Sequence, residues 1–177
     1  MITQPQVRER DQDFRVYTGN VSVENVLGDP VRLTQVLLSL LGNAVKFTPS
    51  GGSIRMELTE EPSPRGPAFI RVRLTVRDTG VGMSEDFQKR IFDSFAREDS
   101  ARVQKAQGAG LGLTITKYIV DAMGGDIEVE SAPGQGSFFR VTLDLEKARG
   151  QEPDMRLSER EVLLAAGDEA VWQSAEG

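Results

Sequence analysis

Residues 70–82 read IRVRLTVRDTGVG and predict a strand that ends in a glycine-rich turn. The even-numbered positions from 70 to 78 hold the apolar residues of the predicted strand and, at its end, an aspartate: Ile70, Val72, Leu74, Val76 and Asp78. Because alternate side chains of a strand share a face, Asp78 is expected on the apolar side, where a carboxylate needs hydrogen-bond donors. Two interpretations follow: Asp78 binds a donor such as an adenine amino group, or it caps a strand-end turn.

Strand and helix patterns flank this stretch on both sides. Alternation typical of strands occurs at residues 14–17, 54–58, 126–130 and 137–145. A helix is predicted to begin at Asp29 and Pro30, a cap followed by a first-turn proline, and to end before Pro49. Further helices are predicted at residues 84–89 and at about residues 110–123. The chain thus contains five predicted strands and three predicted helices.

The first predicted helix has a polar face. Ser39, Asn43 and Lys46 are spaced by four and three residues, so they lie on one side of the helix. An amide oxygen beside a cation suits a magnesium-bound triphosphate, because magnesium prefers oxygen ligands and keeps several waters. An ordinary solvated helix face is the alternative interpretation.

Three glycines, Gly108, Gly110 and Gly112, precede or open the helix predicted near residues 110–123. Free N–H groups at a helix N-terminus favour phosphate, and glycine lets the backbone approach a ligand. A flexible loop leading into a helix is the alternative. Neither the pattern GxxxxGK[ST] nor GxGxxG occurs in the chain.

Phe92 and Phe95 lie three residues apart and are followed by Arg97. Core packing is the plain interpretation for the two aromatic side chains. Residues 98–109 are polar and charged, so we expect them to form a lid that is mobile without a ligand and closes over one.

The composition narrows the class of protein. With 21 basic against 27 acidic residues, the chain lacks the basic balance of a nucleic-acid binder. It contains no cysteine, which excludes disulfides and thiolate metal sites, and it also contains no histidine. The sequence shows no signal peptide and no apolar run of membrane-spanning length, so a cytoplasmic location is expected for this chain, either as part of a soluble protein or as part of a membrane-anchored one.

Taken in order, these segments resemble the catalytic ATP-binding domain of bacterial sensor histidine kinases, in the GHKL superfamily. Residues 33–47 resemble its N box, 78–82 its first glycine box, 91–97 its F box and 108–113 its second glycine box. Residues 131–139, SAPGQGSFF, resemble the strand-turn-strand that closes the domain. The resemblance implies an α+β fold: a two-layer sandwich whose mixed sheet of about five strands carries three helices on one face.

The resemblance also implies roles for individual residues. Asn43 is expected to ligate Mg²⁺ and Lys46 to contact the phosphates of ATP or ADP. Asp78 is expected to bind the adenine amino group, with Gly80 and Gly82 shaping the base pocket. Arg97 is expected to reach the γ-phosphate. The remaining nucleotide contacts are expected from Phe95, Gly108, Gly110, Leu111, Gly112 and Leu113.

Two features depart from the family pattern. Ser39 stands where these kinases often have asparagine and the superfamily's ATPases have glutamate, so activation of water is not expected. Family members phosphorylate a histidine on an upstream dimerisation domain, and this chain contains no histidine. We therefore expect a monomeric catalytic module that phosphorylates a separate domain and reaches a response regulator through its parent. The alternatives are an anti-sigma-factor-type serine kinase and a nucleotide-binding signalling module without transfer activity.

The predicted domain boundaries follow the change in composition along the chain. Residues 1–13 are expected to be the end of an upstream helix or disordered, and residues 14–147 the catalytic domain. Residues 148–177 are expected to be a linker and tail. A cut first strand of a receiver domain, around residues 160–166, is the alternative there. Trp172 lies in this tail and is expected to be exposed to solvent.

Overall fold

The fold is built on one mixed sheet. The computed structural model describes residues 9–19, 25–93, 112–148, 155–156 and 171–172. The strands are β1 (Asp13–Gly19), β2 (Asn25–Leu27), β3 (Ser53–Pro62), β4 (Phe69–Asp78), β5 (Asp126–Ser131), β6 (Ser137–Lys147), β7 (Met155–Arg156) and β8 (Val171–Trp172). The helices are α1 (Pro30–Phe47), α2 (Glu85–Gln88) and α3 (Gly112–Ala122).

The sheet order is β7-β2-β6-β4-β3-β1-β8, and β5 pairs with β6 outside this path. Strand β1 runs parallel to β3 and to β8, whereas the β3–β4, β4–β6 and β5–β6 pairs are antiparallel. The α+β class with a mixed sheet is confirmed. The five long strands β1, β3, β4, β5 and β6 are those that the residue alternation predicts.

Helix α1 begins where the cap and proline predict. The Asp29 side chain accepts a hydrogen bond of 3.1 Å from the Arg32 backbone N–H, and Pro30 occupies the first turn. At the other end, the Thr48 N–H donates to the Ala44 carbonyl before Pro49 ends the helix. The buried stripe of α1 comprises Val36, Leu37, Leu40, Leu41, Ala44 and Val45.

The core lies between the apolar face of the sheet and helices α1 and α3. Strand β4 shows the pattern most clearly, since its buried residues alternate with half-buried or exposed ones along its whole length. Asp78, the last residue of β4, belongs to the buried set, as its parity predicts. The sheet therefore delivers a carboxylate to the edge of the apolar core.

Three short strands were not predicted. Strand β2 pairs with β6 and with β7, and β8 pairs with β1 through Arg15–Val171 and Val16–Trp172. Strands β7 and β8 lie in the stretch predicted as linker and tail, and they add backbone pairing at both ends of the sheet. Residues 160–166, the suggested receiver strand, lie outside the described residues. Among the described helices, none is long and apolar enough to cross a membrane.

Candidate functional site

The site forms at one end of the sheet, where the part of the core face formed by β4, β6 and β5 changes from apolar to polar. Cross-strand register places Asp78 opposite Ser137, and Ser137 opposite Ser131. We call these three residues the polar rung. The preceding rung on the same face, here called the apolar rung, consists of Met56, Val76, Phe139 and Val129. Two residues along each strand are enough to pass from one rung to the other.

Asp78 has a buried carboxylate with backbone donors. Its residue surface is 6% exposed. The Gly80 N–H donates a 2.8 Å hydrogen bond to Oδ1, and the Ser137 backbone N–H also donates to the carboxylate. Burial raises the pKa of Asp78 above its ordinary value of 3.8, although these two hydrogen bonds oppose the shift. The carboxylate is therefore costly to keep charged, and a further donor from a ligand would stabilise it.

The segment from Gly80 to Gly82 lies wedged between helix α1 and the β5–β6 turn. The Val81 N–H donates to the Phe47 carbonyl at 3.2 Å, and the Gly134 N–H donates to the Val81 carbonyl at 2.8 Å. Gly82 has a φ of +68°, and a Cβ there would overlap the Ala132 carbonyl. This position therefore requires glycine, because it combines a left-handed backbone with a close approach.

The contact between Val81 and Phe47 brings the end of α1 to Asp78. Asn43 and Lys46 lie in the last turns of this helix, and both are half-buried rather than fully exposed. The Lys46 Nζ lies 5.4 Å from the centroid of the Phe47 ring. An amide oxygen, a cation and a buried carboxylate thus come from two elements that meet at the glycine segment.

The segment before β1 supports the same helix end, which the sequence did not predict. The buried Gln12 side chain donates to the carbonyls of Val45 and Thr48 at 2.9 and 2.6 Å. The Arg10 guanidinium donates to the Val45 and Lys46 carbonyls, each at 3.2 Å. The last carbonyls of a helix have no partner within the helix, so these side chains satisfy groups that would otherwise need water.

Several predicted site residues fall outside the described residues: Phe95, Arg97, Gly108, Gly110 and Leu111. The predicted lid, residues 98–109, does so as well. Gly112 is the first residue of α3, and Leu113 is half-buried against the hydrophobic core. Helix α3 packs against α1, so its start belongs to the layer that carries Asn43 and Lys46.

A side-chain network surrounds Ser131, and the sequence does not predict it. The Met83 N–H donates to the Ser131 hydroxyl at 2.9 Å, and the hydroxyl lies 2.7 Å from the Gly136 carbonyl. The Gln88 side chain bonds the Ser131 backbone in both directions, at 2.7 and 3.1 Å. The sequence of residues 131–139 indicates a strand-turn-strand but no role for its side chains.

The residues present fit a magnesium ion that arrives together with a nucleotide. Within the described residues, no cluster of three or more acidic, histidine or cysteine side chains forms a ready-made metal site. Asn43 supplies one oxygen donor. Magnesium typically takes few protein ligands and completes its shell with phosphate oxygens and water, so the donor set fits an ion that arrives with phosphates.

The class of protein follows from comparison with known families. The sequence matches the family described as histidine kinase-, DNA gyrase B- and HSP90-like ATPase over residues 28–147. The chain belongs to this family, and the predicted resemblance is confirmed.

Among its relatives, the chain is similar to sensor histidine kinases. It is 37% identical to the sensor histidine kinase GacS of Pseudomonas protegens over 131 residues, which cover 74% of this chain and 14% of GacS. It is 40% identical to the histidine-protein kinase BarA of Escherichia coli K12 over 124 residues, covering 69% of this chain and 13% of BarA. The chain therefore spans only a small part of these relatives and corresponds to their catalytic ATPase domain.

Solved structures agree with the fold. Full-length ShkA in complex with AMPPNP superposes with a TM-score of 0.66 at 35% identity, covering 82% of this chain and 28% of ShkA. The nucleotide-free catalytic domain of the histidine kinase ThkA gives a TM-score of 0.64 at 27% identity, covering 80% of this chain and 85% of that domain. The chain is thus an ATP-binding domain of the histidine-kinase type.

Proposed function

We propose that this domain binds Mg-ATP and donates the γ-phosphate to a histidine on a separate dimerisation domain of its parent kinase. The observation that carries the proposal is the buried Asp78 carboxylate, which ends β4 next to the glycine segment, and that segment is hydrogen-bonded to the end of the helix that bears Asn43 and Lys46. A buried carboxylate with spare acceptor capacity fits a base amino group better than it fits a purely structural turn.

Each site residue has a separate role in this proposal. Asp78 accepts a hydrogen bond from the adenine amino group, and Gly80 and Gly82 let the backbone approach the base. Asn43 ligates the magnesium ion that accompanies the phosphates, and Lys46 neutralises phosphate charge. Magnesium supplies charge neutralisation for phosphoryl transfer when it is bound. Arg97 and the glycines of the second glycine box complete the phosphate contacts in this proposal.

The acceptor lies on another polypeptide segment, because the chain contains no histidine. Ser39, four residues before Asn43 on α1, is a poor general base, so transfer to a protein acceptor is favoured over hydrolysis by water. Catalysis in this proposal is mainly positioning and charge neutralisation. A response regulator receives the phosphoryl group through the parent kinase, and the isolated domain acts as a monomer.

The test is transfer from labelled ATP to a separately supplied dimerisation domain that carries the acceptor histidine. Wild-type chain is expected to produce acid-labile, alkali-stable label on that domain and none on itself. Asn43→Ala should lower the transfer rate at least about tenfold, the loss typical of one charge-stabilising contact. Gln35→Ala, an exposed position on the same helix, is the matched control and should transfer normally.

Other outcomes distinguish the alternatives. Acid-stable label on a serine of a supplied protein would favour an anti-sigma-factor-type serine kinase. Calorimetric binding of ATP without transfer to any acceptor would favour a signalling module. Absence of nucleotide binding by the folded wild-type chain would refute all three forms of the proposal.

A further inference from the structure

We propose that Ser131 is a positioning residue for base selection: it orients the Ser137 hydroxyl as a hydrogen-bond acceptor beside Asp78, so that the site prefers a purine with an amino group at C6 over one with a carbonyl. The inference rests on the proposed nucleotide binding and deepens it. Its basis is the geometry of the polar rung, where the hydroxyls of Ser131 and Ser137 lie 2.9 Å apart.

The direction of the Ser131–Ser137 hydrogen bond follows from counting protons. A serine hydroxyl has one proton and two acceptor lone pairs. The Ser131 hydroxyl lies 2.7 Å from the Gly136 carbonyl, which can only accept, so the Ser131 proton points there. The Met83 N–H occupies one lone pair of Ser131 at 2.9 Å. The remaining lone pair faces Ser137, and Ser137 must therefore be the donor in the shared hydrogen bond.

This assignment leaves Ser137 with acceptor capacity only. Its single proton is directed at Ser131, so toward any further partner the hydroxyl can only accept. Ser137 and Asp78 are direct cross-strand partners on the core face, where such side chains lie close together. The polar rung thus presents a carboxylate and a hydroxyl that both accept hydrogen bonds. An amino group matches this edge, whereas a carbonyl oxygen meets only acceptors.

The orientation of Ser131 is itself held from several directions. The Gln88 Nε2 donates to the Ser131 carbonyl at 2.7 Å and to the Met83 carbonyl at 3.2 Å, and the Ser131 N–H donates to the Gln88 Oε1. Two of these bonds use the backbone of Ser131 and the third uses that of Met83, so all three remain when the Ser131 side chain is changed. Removing the Ser131 hydroxyl should therefore release the Ser137 proton without displacing the strand end.

The experiment compares ATP with ITP, which carries a carbonyl in place of the amino group at C6 of the purine. Calorimetric dissociation constants are measured for the full chain. Wild type is expected to prefer ATP. In Ser131→Ala, the Ser137 hydroxyl becomes free to donate to the ITP carbonyl, so ITP affinity should rise and the ITP-to-ATP ratio of dissociation constants should fall by about threefold to tenfold, the worth of one hydrogen bond.

Three further variants make the test specific. Ser131→Thr keeps a hydroxyl and should retain the wild-type ratio, whereas its near-isostere Ser131→Val should behave as Ser131→Ala, which also covers the case in which alanine fails to fold. In the double variant Ser131→Ala/Ser137→Ala, the gain in ITP affinity should disappear. Ser50→Ala, at an exposed serine in a turn, is the control and should leave both affinities unchanged.

A purely structural role for Ser131 would weaken ATP and ITP equally and leave their ratio unchanged, and that result in a folded Ser131→Ala variant would overturn the inference. Persistence of the ITP gain in the double variant would overturn it as well. Failure of wild type to bind either nucleotide would instead refute the proposed function, so the two failures are distinguishable.

Discussion

The apolar rung and the polar rung lie next to each other on one face of the same sheet, yet they serve opposite purposes. In the apolar rung, Met56, Val76 and Phe139 are at most 5% exposed, and every buried surface adds to the stability of the fold. In the polar rung, Asp78 is buried almost as deeply, at 6%, but its burial disfavours the charged form. One rung stabilises the domain, and the other keeps a carboxylate away from water, where the proposed function gives it a ligand to bind.

The contrast shows how a stable sheet can carry a costly site. Strand β4 is paired on both sides along its length, with β3 and with β6, so Asp78 has little freedom to turn toward solvent. Backbone donors from Gly80 and Ser137 satisfy part of the carboxylate. The apolar rung, next to Asp78 on the same strands, therefore holds the polar rung in a fixed geometry.

The largest expected effect comes from breaking the apolar rung. Phe139→Ala should lower the free energy of unfolding by about 3–5 kcal/mol, because it leaves a cavity in the core. Denaturant unfolding of the nucleotide-free chain measures this loss. Phe138→Ala is the matched control, since the neighbouring Phe138 lies on the opposite face of the sheet. The Arg77 guanidinium carbon lies 4.4 Å from the centroid of the Phe138 ring. Its loss should be about 1 kcal/mol, and equal losses would contradict the assignment of the two faces.

A medium effect, with opposite signs for stability and binding, is expected when the charge of the polar rung is removed. Asp78→Asn should weaken ATP binding by about 1.5–3 kcal/mol, because a charge-assisted hydrogen bond is lost. The same change should leave the stability of the nucleotide-free domain unchanged or higher, since a buried charge disappears. Calorimetry and urea unfolding measure the two quantities.

Asp144→Asn provides the control for that comparison. Asp144 lies at the other end of the sheet and accepts hydrogen bonds from the Arg71 guanidinium, two of them at 3.0 Å. This variant should lose stability and keep its affinity for ATP. A clear loss of stability in Asp78→Asn, or equal ATP affinity in Asp78→Asn and wild type, would show that Asp78 is structural rather than a base contact.

The smallest expected effect is a difference in pH dependence between these two carboxylates. The pKa of Asp78 is raised by burial, so its contribution to stability is present below its ordinary pKa of 3.8 and is lost as pH rises through the raised value. The pKa of Asp144 is lowered by hydrogen bonds from Arg71, so its contribution is present above 3.8 and is lost as pH falls through the lowered value.

Urea unfolding between about pH 3 and about pH 7 tests both signs. The stability of Asp78→Asn relative to wild type should increase as pH rises above 3.8. The stability deficit of Asp144→Asn should shrink as pH falls below 3.8. Parallel profiles for the two variants would mean that the pKa values of Asp78 and Asp144 are not shifted in opposite directions.

Local patterns predicted most of the fold. Alternation identified the five long strands, and Asp29 with Pro30 marked the start of α1. The short strands β2, β7 and β8 were missed because two or three residues are too few to show a period. Their pairing depends on which strand edge the chain meets, and nothing in their own residues encodes that.

The candidate site was predicted in part. The face of Asp78 was predicted from the alternation along β4, whereas the close approach of Gly82 to the Ala132 carbonyl was not. Gln12 and Gln88 were missed because glutamine carries no distinctive pattern, and their partners are distant in sequence: Gln12 contacts carbonyls 33 and 36 positions away. Side chains of this kind acquire a role only when folding brings carbonyl groups within reach.

The sequence by itself determined which residues face the core, where α1 and α2 begin, and to which family the chain belongs, because side-chain parity and capping depend only on near neighbours. Only the tertiary structure decided how the polar rung works. The Met83 N–H and the Ser131 hydroxyl, 48 positions apart, meet because β5 and the segment after β4 are held against the same turn. The contacts of the Ser131 hydroxyl and the raised pKa of Asp78 both follow from that assembly, since hydrogen-bond partners and desolvation depend on neighbours that the chain brings together only when it folds.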